Sequence, residues 1–162
     1  MKSRPPKKPV KIVLVGDNYL FRLSLKKQLT GFPGFDIIGD TESSGALQLI
    51  EQEQPSIVVL DTSMSIFRGL RLLSRICDLA PLARIIALNF NENPRCLYRA
   101  FKNGCRGFVF KSESLSELEN AIRVVGRGKT YISPRLASGF IRHLLKMADQ
   151  EVTNTETKIQ DS

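Results

Sequence analysis

The chain has 162 residues, 42% of them hydrophobic and 25% charged, which allows one domain with a full core and polar tails. Three cysteines (Cys77, Cys96, Cys105) with no C-x-x-C spacing and a lone His143 argue against a disulfide framework, a zinc site or a histidine-based catalytic pair. No apolar run has the length of a membrane span, no export leader opens the chain, and the glycines form no nucleotide-cradling pattern, so a cytoplasmic protein with no membrane contact is expected.

In chain order, residues 1–8 carry Lys2, Arg4, Lys7 and Lys8 without an acid and read as a flexible basic arm. The prolines and the lack of interleaved aromatics favour a solvated tail over a nucleic-acid grip. The apolar run Val10 to Val15 predicts a first strand. A helix carrying Phe21, Leu25 and Leu29 follows and stops at the turn cluster Gly31-Phe32-Pro33-Gly34. Phe35 to Ile38 predicts the second strand, Ala46, Leu47 and Ile50 the second helix, and Ile57 to Leu60 the third strand. The stripe Leu70, Leu73, Ile76 and Cys77 predicts a helix from about Leu70 to Leu79, with Pro81 close behind. After the strand Ile85 to Leu88, Asn93 reads as an N-cap with Pro94 at the first helical position, Leu97, Ala100 and Phe101 inward, and Gly104 as the left-handed stop. Phe108 to Phe110 predicts the fifth strand. Ser114-Leu115-Ser116-Glu117 reads as a capping box opening a fifth helix with Leu118, Ala121, Ile122 and Val125. Ser133-Pro134 starts a sixth, with Leu136, Phe140, Ile141, Leu144 and Leu145 on one stripe that needs a partner surface.

Strict alternation of strand and helix, with strands apolar throughout, predicts an α/β fold: a doubly wound five-stranded parallel sheet of order 2-1-3-4-5 (flavodoxin-like), plus an extra C-terminal helix. Residues 9–128 form the domain and 129–147 the additional helix. Residues 148–162 hold Asp149, Glu151, Glu156 and Asp161 against only Lys158, with little apolar content, and are expected to be a disordered linker or a truncated end.

In such sheets ligands bind beyond the carboxyl ends of the strands. Here those ends run into Gly16-Asp17, Asp61, Asn89 and Lys111. One polar residue after a strand is more often a solvated loop start, but two carboxylates, an amide and an ammonium on one rim form a constellation. The formal charge of +8 is also uneven: residues 68–106 hold eight basic side chains against Asp78 and Glu92. Within that span Arg95, Arg99 and Lys102 share one helix face, either simply solvated or a contact for an acidic partner.

These positions are also where the chain resembles the receiver (CheY-like) domains of two-component response regulators. Lys11 to Asn18 with Leu20-Phe21-Arg22 resembles the opening strand, acidic turn and first helix. Val59 to Met64 with Gly69-Leu70 resembles the phosphoacceptor segment, and Gly104 to Lys111 the fifth strand and its lysine. Ala121 to Val125, Gly128 and Tyr131 to Pro134 resemble the NarL/LuxR-type subfamily, whose members usually continue into a helix-turn-helix domain. The resemblance implies Asp61 as phosphoacceptor, and Asp17, Asp61 and the Ser63 carbonyl as ligands of a divalent ion, Mg2+. It implies Lys111 and Asn89 as phosphoryl contacts and Phe108 as the aromatic that reorients on activation. It further implies a sensor histidine kinase as partner, a homodimer, the face of Arg95, Arg99 and Lys102 as output surface, and DNA contact only through a C-terminal domain absent from this chain. Beyond self-phosphorylation from a donor and autodephosphorylation, no enzymatic activity is implied. The chain departs from the family at Gly16 (usually acidic), Ser65 (usually proline), Asn89 (usually Thr or Ser) and Phe90 (usually small). These departures leave open a phosphorylation-independent pseudo-receiver that acts as an interaction module. A flavodoxin-like flavin carrier is disfavoured, because a flavin phosphate wants backbone N–H and hydroxyl donors rather than carboxylates.

Overall fold

A computed structural model describes residues 8–88, 92–110 and 112–161, and of Ile66 the backbone alone. Six parallel strands form one sheet in the order β2-β1-β3-β4-β5-β6. They are β1 (Val10–Val15), β2 (Phe35–Thr41), β3 (Ile57–Asp61), β4 (Arg84–Leu88), β5 (Cys105–Val109) and β6 (Tyr131–Ile132). The expected five-strand order is present, and the two-residue β6 extends it at the β5 edge. Helices α1 (Tyr19–Thr30), α2 (Ala46–Glu53), α3 (Ile66–Leu79), α4 (Pro94–Lys102) and α5 (Leu115–Gly126) make the crossovers, and α6 (Pro134–Gln160) follows β6.

The central strands are buried on both faces, which is why they read as continuous apolar runs. Their side chains alternate between two cores. Ile12, Leu14, Ile57, Val59, Ile86 and Leu88 meet α1 and α5 through Leu25, Leu29, Leu118 and Ile122. Val13, Val15, Val58, Leu60, Ile85 and Ala87 meet α2, α3, α4 and the start of α6 through Ile50, Leu73, Leu97, Leu136 and Phe140.

Local chemistry accounts for most of the boundaries. Asn93 Oδ1 accepts from the Arg95 N–H at 2.9 Å with Pro94 at the first helical position, and Gly104 (φ +108°) ends the α4 segment in the left-handed region. Helix α3 starts four residues before the expected Leu70, because Ser65 Oγ caps it by accepting from the Arg68 N–H at 3.4 Å.

Two expectations are corrected. The capping box at α5 does not close: Ser114 makes no side-chain cap, its Oγ lies 2.8 Å from Ser116 Oγ, and Glu117 instead accepts the Tyr131 hydroxyl, brought alongside by β6. The stretch from 148 onward is not disordered, since α6 runs unbroken to Gln160. No glycine or proline stands between Phe140 and Asp161 to stop it. Its threonines donate to carbonyls one turn back, Thr153 to Asp149, Thr155 to Glu151 and Thr157 to Thr153 at 2.9–3.0 Å.

Candidate functional site

Strands β1 and β3 pair in parallel with Val15 opposite Leu60, so the residues that follow them meet on one rim. Asp61, the last residue of β3, is 5% exposed, and Asp17 lies two residues past β1 in the open. Each carboxylate is held by a serine in the same way. Asp61 Oδ1 accepts from the backbone N–H and hydroxyl of Ser63 at 3.1 and 2.7 Å. Asp17 Oδ1 accepts from the backbone N–H and hydroxyl of Ser43 at 2.8 and 2.7 Å. The two Ser43 bonds, the backbone one first, with lesser help from Arg68 and Arg22, hold the Asp17 carboxyl below the usual 3.8.

Gly16 stands between the end of β1 and Asp17 and packs against the Asp61 side chain. A Cβ at this position would stand 3.0 Å from Asp61 Cβ and 3.5 Å from its Oδ2, so the missing side chain lets the Asp61 carboxylate lie directly over backbone. Arg22 approaches the same place from α1. Although charged, it is only 8% exposed, donating from Nη1 to the Gly16 carbonyl and from Nε to Asp40 Oδ2 at 2.8 Å. Arg22, Gly16 and Asp61 all line a void of about 10 Å³, too small for another side chain. Asp40, which also accepts from Lys26 at 3.0 Å, is held below its usual carboxyl range mainly by the Arg22 bond.

The β3 end is tied to its neighbour by Thr62, whose N–H and hydroxyl both donate to the Leu88 carbonyl at 3.0 and 2.8 Å. Phe108 on β5 is fully buried in the core shared with α4 and α6, and its carbonyl accepts the Ser133 N–H at 3.0 Å. Arg95, Arg99 and Lys102 are all exposed on α4, with Lys102 over the Tyr98 ring at 5.9 Å. Asn89, Phe90 and Lys111, and most of the basic arm, lie outside the described residues.

The donors brought together are hard oxygens: two carboxylates and the backbone beyond β3. That set suits Mg2+, which commonly binds through one or two carboxylates and keeps several waters. No group of three or more His, Cys, Asp or Glu that could hold a metal gathers among the described residues.

The chain matches the response regulator receiver domain over residues 12–123. It belongs to the response regulator receiver family. Its curated relatives are of NarL/LuxR type. Transcriptional regulatory protein DegU of Brevibacillus brevis is 24% identical, over 88% of this chain and 61% of that protein. Oxygen regulatory protein NreC of Staphylococcus carnosus is 28% identical, over 90% of this chain and 68% of that protein. The chain thus spans about two thirds of the length of these relatives. Among solved structures, a LuxR-family two-component response regulator from Aurantimonas sp. SI85-9A1 superimposes with a TM-score of 0.77 at 24% identity, covering 85% of this chain and 99% of that one. The isolated receiver domain of RcsB from Salmonella enterica serovar Typhimurium, with the phosphomimetic BeF3-, gives 0.72 at 19% identity, covering 81% and 98%. Both share the receiver fold.

Three site residues escape sequence reasoning. Ser43 follows β2, whose carboxyl end also reaches the rim, and following that strand end would have found it. Arg22 sits on the apolar stripe with Leu25 and Leu29 at spacings of three and four, and a cation in that register is the available signal. Asp40 carried no signal, because nothing near it in sequence marks it as the partner of Arg22.

Proposed function

We propose that this receiver domain is a phosphoacceptor of a two-component pathway, with Asp61 as the nucleophile. The supporting observation is the placement of Asp61: a nearly buried carboxylate at the β3 end, oriented by Ser63, on the rim that Asp17 also occupies after the paired strand β1. An Asp61 oxygen attacks the phosphorus of a sensor kinase's phosphohistidine, the P–N bond breaks, and an acyl phosphate forms on Asp61. Asp17, Asp61 and the Ser63 carbonyl are the groups that would hold Mg2+, which supplies positive charge against the incoming phosphoryl oxygens. Lys111 and Asn89, placed by sequence after β5 and β4, are assigned the remaining phosphoryl contacts, and Phe108 the reorienting aromatic. The phosphoryl group leaves by hydrolysis, and no other enzymatic activity is assigned. Output is transcriptional control through a DNA-binding domain outside these 162 residues, in a cytoplasmic protein that forms a homodimer, with Arg95, Arg99 and Lys102 on the partner face. A solved structure of the relative RcsB has two dimers bound to two parallel DNAs, which fits such an output.

A specific observation favours a second reading. Gly16 removes one carboxylate from the pocket, and Arg22 places a cation against the Gly16 carbonyl, so a phosphorylation-independent interaction module is the alternative. Incubation with Mg2+ and acetyl phosphate, read by intact mass, separates the two. One phosphoryl group gained by the native chain and none by Asp61→Asn supports the acceptor. No gain in either supports the interaction module.

A further inference from the structure

Helix α3 places Arg68, Arg71 and Arg75 at spacings of three and four, so they project from one face. That face borders a cleft of about 220 Å³, walled by Met64 and Leu72 and closed opposite by Ser43 and Ser44 from the turn after β2. All three arginines are exposed, and among the described residues none forms an ion pair. Arg75 also borders the neighbouring groove with Glu51 and Asp78, so the least compensated charge lies at Arg68 and Arg71.

This arrangement is unfavourable without a ligand. Like charges at these spacings repel along a helix. Arg68 also sits in the first turn, where the helix dipole favours anions, and no acidic residue stands there to offset it. Asp17, close enough for Arg68 to lower its pKa, is already engaged by Ser43. An anion in the cleft would answer every one of these charges at once.

We propose that the cleft between α3 and the Ser43-Ser44 turn binds a compact polyanion carrying two or more phosphate groups, held by Arg68, Arg71 and Arg75. Guanidinium forks bind phosphate oxygens in pairs, and three along about 10 Å of helix match more oxygens than one phosphate presents. Ser44, which also lines the cleft, carries a hydroxyl that can donate as well. The volume is below that of pockets enclosing drug-sized ligands, and no aromatic side chain lines it among the described residues, so it holds the phosphates and neither stacks nor encloses a base. Ser43 joins this cleft to Asp17, so occupancy will be felt at the rim. The proposal does not depend on Asp61 accepting phosphate.

The test is titration of the whole chain with inorganic monophosphate, diphosphate and triphosphate at fixed ionic strength, by calorimetry and by amide NMR shifts at Ser43, Ser44 and Arg68. Saturable one-site binding is expected, tighter for triphosphate than for monophosphate, and weakened at least tenfold in Arg68→Gln/Arg71→Gln. The control Arg127→Gln/Lys129→Gln, at exposed positions and equal in charge lost, should bind as the native chain does, and thermal melts establish that both variants fold. Equal loss in the two double variants would reduce the effect to net charge and overturn the proposal. So would failure to saturate, or tighter binding of a single-stranded oligonucleotide or a diphosphorylated peptide through the same arginines.

Discussion

At the residue scale the pocket is governed by what Gly16 omits and what Ser43 and Arg22 supply. A Cβ at position 16 would meet Asp61 Cβ at 3.0 Å, so Asp61 would have to shift by a few tenths of an ångström. Gly16→Asp is therefore expected to lower the stability of the metal-free protein by about 1 kcal/mol, the low end of the cost of overpacking. It should also tighten Mg2+ binding about tenfold, since unit charges at ~4 Å interact by about 1 to 4 kcal/mol between water and an effective dielectric of 20. Urea unfolding across a Mg2+ series measures both effects, and an unchanged Mg2+ dependence would contradict the second. Arg22 makes a separate prediction. The Arg22 bond is the main reason the Asp40 carboxyl lies below its ordinary 3.8, with Lys26 assisting. The folded value is below the unfolded one, so this stabilisation is present above about 3.8 and is lost as pH falls through the folded value. Arg22→Met should raise the Asp40 pKa and move the acid-unfolding midpoint to higher pH, as carboxyl NMR titration and acid denaturation would show.

At the element scale α6 divides into two parts. Leu136 and Phe140 are 5% and 4% exposed and pack on α4, with Phe140 edge-on to Phe101 at 6.2 Å. Ile141, Leu145, Val152 and Ile159 are each more than half exposed. With Ala148 and Thr155 these exposed residues recur alternately at four and three along the helix, the seam that two helices supercoil to bury, and four of the six are β-branched. The stripe read from sequence as one surface is thus split between the domain core and solvent, and a second copy of the chain is the expected occupant of the exposed part. Phe140→Ala should cost about 3 to 5 kcal/mol by opening the α4 contact. Leu145→Asp with Val152→Asp should leave the melting of the dilute monomer unchanged and abolish a dimer seen by sedimentation velocity. A monomeric native chain at high concentration would count against the seam.

At the scale of the whole molecule the question is whether a change at Asp61 reaches the distant face. Thr62 clips the β3 end to Leu88, and Leu88 leads directly to Asn89 and Phe90. Further along the sheet, Phe108 is sealed under α4 and α6. Reorientation of Phe108 would disturb the core that seats Phe140, so the switch has to work against packing as well as against the substitutions at 89 and 90. A ligand moves such an equilibrium only by its differential affinity, about tenfold for each 1.4 kcal/mol. Asp61 is accordingly expected to label slowly, to lose its phosphoryl group slowly, and to couple weakly to Phe108. Asn89→Thr and Phe90→Ala should each speed labelling, and Asn89→Thr should enlarge the beryllofluoride-induced NMR shifts near Phe108. Fast labelling and a full response in the native chain, unaltered by either substitution, would show that the pocket works without them.

The sequence alone determined the alternation of strand and helix, hence a doubly wound parallel sheet, and it set Asp17 and Asp61 at the carboxyl ends of two of its strands. Those features depend on periodicity and turn chemistry within a few residues of each other, as at Asn93-Pro94 and Gly104. Only the tertiary structure decided which groups hold those carboxylates. Ser43 reaches Asp17 across 26 residues because β2 lies beside β1, and Arg22 reaches Asp40 across 18 for the same reason. The capping box failed on the same ground: Glu117 had a second suitor, Tyr131, that β6 alone brings alongside. The tail beyond Ala148 turned on a different balance, in which weak helix formers continue a helix already nucleated at Pro134 because continuing adds one hydrogen bond per residue while starting anew would require a nucleus. Composition averages over that choice, and the chain's connection to a packed first turn makes it.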